Sequence, residues 1–188
     1  EASLGTPITL DGEGYVVTPS EVDLPRAELS VSMWMRSSDV SLAGILVSFV
    51  AAAAGNNNAE RAGNSGDPYH YEFALYDQRS LRVVIKDRTD GTWRIPALDT
   101  GVSFNDGEWN HLVVTWSSSS GRVRLFKNGA SVFDSSTSGG GPYKKGALLY
   151  ARGRIAAGQG MVRAETLEFS AHNGFVGDLQ NLRVYRRD

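Results

Sequence analysis

The chain has 188 residues, 41 % hydrophobic and 21 % charged, with a formal net charge of −2 and no cysteine. These values suit one globular domain with one core. They exclude a disulfide scaffold, a thiolate zinc site and a cysteine nucleophile, and they carry no basic footprint for nucleic acid.

Residues 6–18 read as a short strand, a Gly-containing turn and a second strand. Residues 29–35 alternate strictly, with Leu29, Val31, Met33 and Met35 on one side and Ser30, Ser32 and Trp34 on the other. Period two over such a run predicts a half-buried strand. Residues 44–50 predict another. Residues 51–68 follow as a long loop, because Gly55 and three asparagines stop any helix begun by the alanines. Residues 69–75 and 81–85 predict a hairpin, and 93–95 a short strand. Residues 109–116 carry the strongest strand pattern; a Ser/Gly turn leads from them into 122–126. Asn128 and Gly129 then predict a hairpin turn into 130–133. After a Gly/Ser loop at 135–142, strands are expected at 147–150 and 154–155. Residues 161–174 read as a second long connection, and 175–185 as the closing strand. About a dozen short strands with no amphipathic helix predict an all-β fold, a two-sheet antiparallel β-sandwich or jelly roll. No apolar run approaches the ~20 residues that span a bilayer, so membrane insertion is not expected. Residues 1–4 show no secretory leader, and the chain is expected to be one domain, 1–188, of a larger protein.

Three segments carry a family resemblance: residues 10–16 with 29–35; residues 106–129, the longest and most specific; and residues 175–185. Together they resemble the concanavalin A-like lectin/glucanase superfamily, in its laminin-G-like and pentraxin-like branch. The resemblance implies that the first and last strands are adjacent and that a ligand surface lies on one sheet or on loops at its rim. Pentraxins pair two cysteines across the sandwich where this chain has Ser32 and Val113. They also carry a double calcium site. Asp67 matches its first part; Gly158 and Gln159 are followed here by Gly160, Met161 and Val162 instead of acidic side chains, with Glu168 and Asn173 further on.

Calcium needs about 6–8 hard oxygen donors. Asp67, Glu168 and Asn173, with Glu165, form one candidate set, and Asp11 with Asp178 in the terminal segments forms a second. The alternative for the second set is that Asp11 caps its Asp-Gly turn and Asp178 accepts from a backbone amide. Candidate ligand-binding residues are Asn58, Asp67, Tyr69, Tyr71, Trp93 and Asn173, with His70, Tyr143 and Tyr150 nearby. Aromatic rings stack on apolar sugar faces, and amide or carboxylate groups pair with hydroxyls. Trp34, Trp109 and Trp116 are expected in the core, as strand aromatics usually are.

The histidines His70, His111 and His172 have no zinc spacing. Retaining glycosidases need two carboxylates about 5–5.5 Å apart, whereas Glu72 stands alone in its strand. A late basic group comprises Lys144, Lys145, Arg152, Arg154 and Arg163, with Arg183, Arg186 and Arg187 at the end. It reads either as a solvated edge or as a surface for an acidic glycan. The functional expectation is a non-catalytic recognition module, extracellular or on the cell surface, of the kind used in cell adhesion. It would bind a glycan or a protein segment through rim loops, assisted by calcium, as a monomer or homo-oligomer. The alternatives are a structural spacer or oligomerisation domain and a divergent glycan-active enzyme.

Overall fold

The computed structural model describes residues 6–51, 71–86, 96–150, 152–163, 167–170 and 173–186. Its strands are β1 (Ile8–Asp11), β2 (Val16–Val17), β3 (Val22–Asp23), β4 (Glu28–Arg36), β5 (Ile45–Ala51), β6 (Phe73–Tyr76), β7 (Arg82–Ile85), β8 (Leu98–Asp99), β9 (Asn110–Ser117), β10 (Arg122–Lys127), β11 (Ala130–Asp134), β12 (Arg152–Ala157), β13 (Gly160–Arg163), β14 (Glu168–Ser170) and β15 (Val176–Tyr185). Among the described residues there is no helix, and hence none long and apolar enough to cross a membrane.

Two antiparallel sheets form a sandwich. The six-stranded sheet runs β1-β15-β4-β9-β10-β11, and the seven-stranded sheet runs β2-β12-β5-β6-β7-β8, with β3 also on β12. The first and last strands pair directly, Thr9 opposite Asp178. The main core lies between the sheets. From one side come Leu29, Val31, Met33 and Met35 of β4 with Leu112, Val114 and Trp116 of β9; from the other come Val47, Phe49, Phe73, Leu75, Val83 and Ile85. Each set occupies alternate positions, as a pleated strand buried on one face requires.

The Asn128–Gly129 turn has φ of +53° and +83°, the primed geometry that matches hairpin twist. The Asn128 side chain accepts the His111 amide at 2.7 Å, fixing the turn to β9.

Three segments differ from the sequence expectations. Residues 147–150 form no ladder strand. Ala147 and Leu149 are fully buried, and their polar groups pair singly: the Leu149 amide donates to Arg26 O at 3.0 Å, and the Ser118 hydroxyl to Ala147 O at 2.6 Å. The 161–174 connection contains the β13–β14 hairpin. The expected strand at 93–95 lies outside the described residues, and β8 supplies the sheet edge. Ser32 and Val113 face each other on adjacent strands of one sheet, not across the sandwich.

Candidate functional site

The β13–β14 hairpin covers the outer face of the seven-stranded sheet. It builds a second apolar cluster, in which fully buried Met161 meets Ile45, Val50, Ala74, Val84 and Ala156. Tyr15 stacks on Phe169 of the hairpin at 3.7 Å between centroids. Tyr71, expected on a ligand surface, is 1 % exposed and belongs to this cluster, lying against Gly160. A phenol buried beneath the hairpin is not presented to a ligand. Glu72 is equally buried, with Lys86 Nζ at 3.8 Å and the Tyr150 amide donating to it at 3.3 Å. Asn58, Asp67, Tyr69, His70, Trp93, Glu165 and His172 lie outside the described residues, as does the side chain of Glu168 at the start of β14. Tyr143, another aromatic candidate, is buried; its hydroxyl donates toward Pro96 O at 2.9 Å and Val83 O at 3.1 Å.

The hairpin is rooted at one end of the sandwich, where several loops meet. Asn173 O accepts the Ile45 amide at 2.9 Å, and Gly158 O accepts the Phe175 amide at 2.7 Å. Two buried glutamines tie this rim together. Gln159 donates to Gly12 O at 3.2 Å and Glu13 O at 2.6 Å. Gln78, fully buried, accepts the Gly44 amide at 3.1 Å and donates to Leu42 O at 2.9 Å and to Asp39 Oδ2 at 3.1 Å.

Asp39 also accepts the Ser41 hydroxyl at 2.6 Å and the amides of Ser41 and Leu42, both at 3.1 Å. Partial burial pushes its carboxyl up, but these donors and Arg79 outweigh that and hold it below the ordinary aspartate value. The result is a preformed loop that presents Val40, 69 % exposed, and Leu42, 38 % exposed, to solvent.

The second calcium candidate has other partners. Asp11 Oδ1 accepts the amides of Glu13 and Gly14, both at 3.0 Å, which hold its carboxyl low and cap the turn. Asp178 takes the Thr9 hydroxyl on one oxygen at 2.6 Å and Arg36 Nε on the other at 2.8 Å; both lower its carboxyl. With Arg36 in place these two carboxylates do not fit a calcium shell. Among the described residues no three His, Asp or Glu side chains converge to hold a metal. The late basic group is divided: Arg152 and Arg154 lie on β12 of one sheet, where they bond to Glu21 and to Thr18 O, and Arg183 lies on β15 of the other.

The six-stranded sheet carries ring systems on its outer face that the core expectation missed. Of the three described tryptophans Trp116 alone is buried, its Nε1 donating to Tyr143 O at 3.1 Å. Trp34 and Trp109 are half-buried on the outer face. Trp34 lies opposite His111 with ring centroids 5.0 Å apart, and the Arg36 guanidinium sits over Trp109 at 5.1 Å. The signal was present in the sequence, since strict alternation groups Trp34 with the serines of β4.

The arrangement of two sheets is shared with solved structures. A heptameric SAP-like pentraxin from Limulus polyphemus matches with TM-score 0.63 at 16 % identity, over 95 % of this chain and 74 % of that one. Domain 4 of an extracellular GH43 arabinanase from Geobacillus stearothermophilus, in complex with arabinotriose, matches with TM-score 0.59 at 16 % identity, over 98 % and 72 %. Domains LG4-5 of the mouse laminin α1 chain match with TM-score 0.58 at 16 % identity; this chain is covered to 97 % and spans 41 % of that one. A laminin G family model described as the concanavalin A-like lectin/glucanases superfamily matches residues 10–188. The chain belongs to that laminin-G-like family of the concanavalin A-like superfamily.

Proposed function

We propose that the chain is a non-catalytic recognition module of a larger extracellular or cell-surface protein, binding a glycan or a protein segment through loops at the rim of the sandwich. The observation that carries this reading is the preformed rim loop. Asp39 and Gln78 hold it in one conformation while Val40 and Leu42 face solvent. An ordered loop with exposed apolar side chains loses little entropy when a partner covers it. The hairpin over the seven-stranded sheet favours the rim as well, because it fills the face on which a polymer groove would lie. Glu72, just before β6, is buried.

Two similar structures support the reading: one is a domain of an arabinanase in complex with arabinotriose, and one is a heptameric pentraxin, which favours homo-oligomer formation here too. Calcium belongs to the same reading through the oxygen donors of Asp67, Glu168 and Asn173, whose hard chemistry suits the ion. Its role would be to order the hairpin root and bind ligand hydroxyls or carboxylates.

Glycan and peptide arrays, each run with calcium and with chelator, test the proposal. The expected result is binding to one class that is lost in Val40→Asp and Leu42→Asp, with melting unchanged in both variants. Absence of binding on both arrays in both conditions, by protein shown to be folded, overturns it. Calcium at about 100 times its Kd should stabilise the fold by about 2.7 kcal/mol by mass action; no melting shift removes the ion from the reading.

A further inference from the structure

The outer face of the six-stranded sheet is remote in the fold from the hairpin, and its chemistry is distinct. On β4 the outward positions are Ser30, Ser32, Trp34 and Arg36. On the neighbouring strand and its approach they are Trp109, His111, Val113 and Thr115. The pairing places Trp34 beside His111 and Arg36 beside Trp109, so that two indoles, an imidazole and a guanidinium form a compact two-by-two group.

Among the described residues, the ring nitrogens of this group have no protein partner. Among the described residues, neither the indole N–H of Trp34 nor that of Trp109 donates a hydrogen bond, and the ring nitrogens of His111 make none. Elsewhere the fold satisfies aromatic polar groups with care, as the Trp116 indole and the Tyr143 hydroxyl show. Buried rings find partners, and interfacial rings keep one end open for them. Charge narrows the ligand class. Arg36 is neutralised by Asp178, with Arg36 Nη2 2.7 Å from Asp178 Oδ2, and Asp178 is itself held by Thr9. A tilted pair of rings and a second indole, with open N–H donors beside a closed ion pair, suit a molecule with apolar C–H faces, many hydroxyls and no net charge.

We propose that Trp34, His111, Trp109 and Arg36 form a binding site for a neutral oligosaccharide on the outer face of the six-stranded sheet. Pyranose or furanose C–H faces stack on the two indoles. Ring hydroxyls accept from the indole N–H groups and from Arg36, and donate to Asp178. The site uses no rim loop and no metal, so its failure and that of the rim reading are separable.

Tryptophan indole N–H signals in ¹H–¹⁵N spectra of the whole chain test it, with Trp34→Phe and Trp109→Phe assigning the peaks. The probes are cello-, xylo-, manno- and arabino-hexaose and a heparin hexasaccharide, each at about 10 mM, where a site of ~1 mM Kd is mostly filled. At least one neutral probe is expected to shift the Trp34 and Trp109 signals and leave Trp116 in place. Trp34→Leu, its fold verified by an unmoved Trp116 signal, should then weaken binding by about tenfold, the scale of one aromatic stacking contact. Three results overturn the proposal. One is no shift with any hexaose. Another is binding confined to heparin oligosaccharides and abolished by salt, which assigns the face to exposed Arg183. The third is a dimer in sedimentation that Trp34→Leu dissociates, which assigns it to a second copy of the chain.

Discussion

Asp178 and Arg36 stand opposite each other in register on β15 and β4, and Thr9 of β1 reaches the same carboxylate from the other side. One side chain thereby links the first strand, the last strand and the strand at the middle of the sheet. The Asp178 carboxylate is largely shielded while Arg36 is half exposed, so the link lies between a surface ion pair and a buried one. Asp178→Asn should lower stability by about 1–2 kcal/mol in urea unfolding at neutral pH. Thr9 and Arg36 hold the Asp178 carboxyl below its unfolded value. Its stabilisation is therefore full above the unfolded pKa of about 4 and is lost as pH falls through the lower folded value. The gap between wild type and Asp178→Asn should stay constant from neutral pH to about 5 and narrow below 4.

Tyr143 tests the other end of the pH scale. Burial pushes its phenol well above the ordinary tyrosine value, and the Val83 and Pro96 carbonyls face its hydroxyl. A neutral phenol in the fold contributes fully below the unfolded pKa of about 10, and that contribution declines as pH rises above it. Wild type should lose stability between pH ~9 and ~11 more steeply than Tyr143→Phe. At neutral pH the variant should be about 1–3 kcal/mol less stable, because the buried Val83 carbonyl loses a donor and the buried Ile85 amide loses its acceptor.

Gly174 and Gly129 should respond differently to alanine. A β-carbon on Gly174 would overlap the Gly12 carbonyl, so the two backbone segments must part. Gly129 has φ +83° with open space around it. Gly129→Ala should cost about 1–2 kcal/mol, the left-handed penalty alone. Gly174→Ala should exceed that, with loss of about 3 kcal/mol or failure to fold. Equal midpoint shifts in urea would contradict the close approach of residues 12 and 174.

Gln78→Ala removes the amide that holds the rim loop. The Gly44 amide and the Leu42 carbonyl lose a buried partner, at about 1–3 kcal/mol for the group. The effect should be local, with faster hydrogen exchange at Gly44 and Leu42 and unchanged protection in β9. Ligand affinity at the rim should fall with it, since the loop no longer arrives preformed.

The strands of the sandwich were legible because period two is a local property. Leu29, Val31, Met33 and Met35 announce a buried face wherever the chain goes, and all four are buried. Trp34 shows where residue type misleads. Its place among serines marked it as outward, yet a bulky indole in a central strand argued for the core. Only the pairing with His111 shows how an outward indole is half covered by its cross-strand neighbour.

What the sequence determined by itself was the all-β class, since alternation and the Asn128–Gly129 turn are contained in the chain order; the superfamily and the pairing of the termini were implied by the resemblance that residues 106–129 and their flanks carry. What the tertiary structure decided was which surfaces remain available. Met161 and Phe169 fold the 161–174 connection onto one sheet and bury Tyr71. Arg36, 142 positions from Asp178 in the chain, takes the carboxylate that a calcium ion would have needed. Such contacts depend on segments far apart in sequence meeting in space, and no local pattern encodes which polar group will reach a given oxygen first.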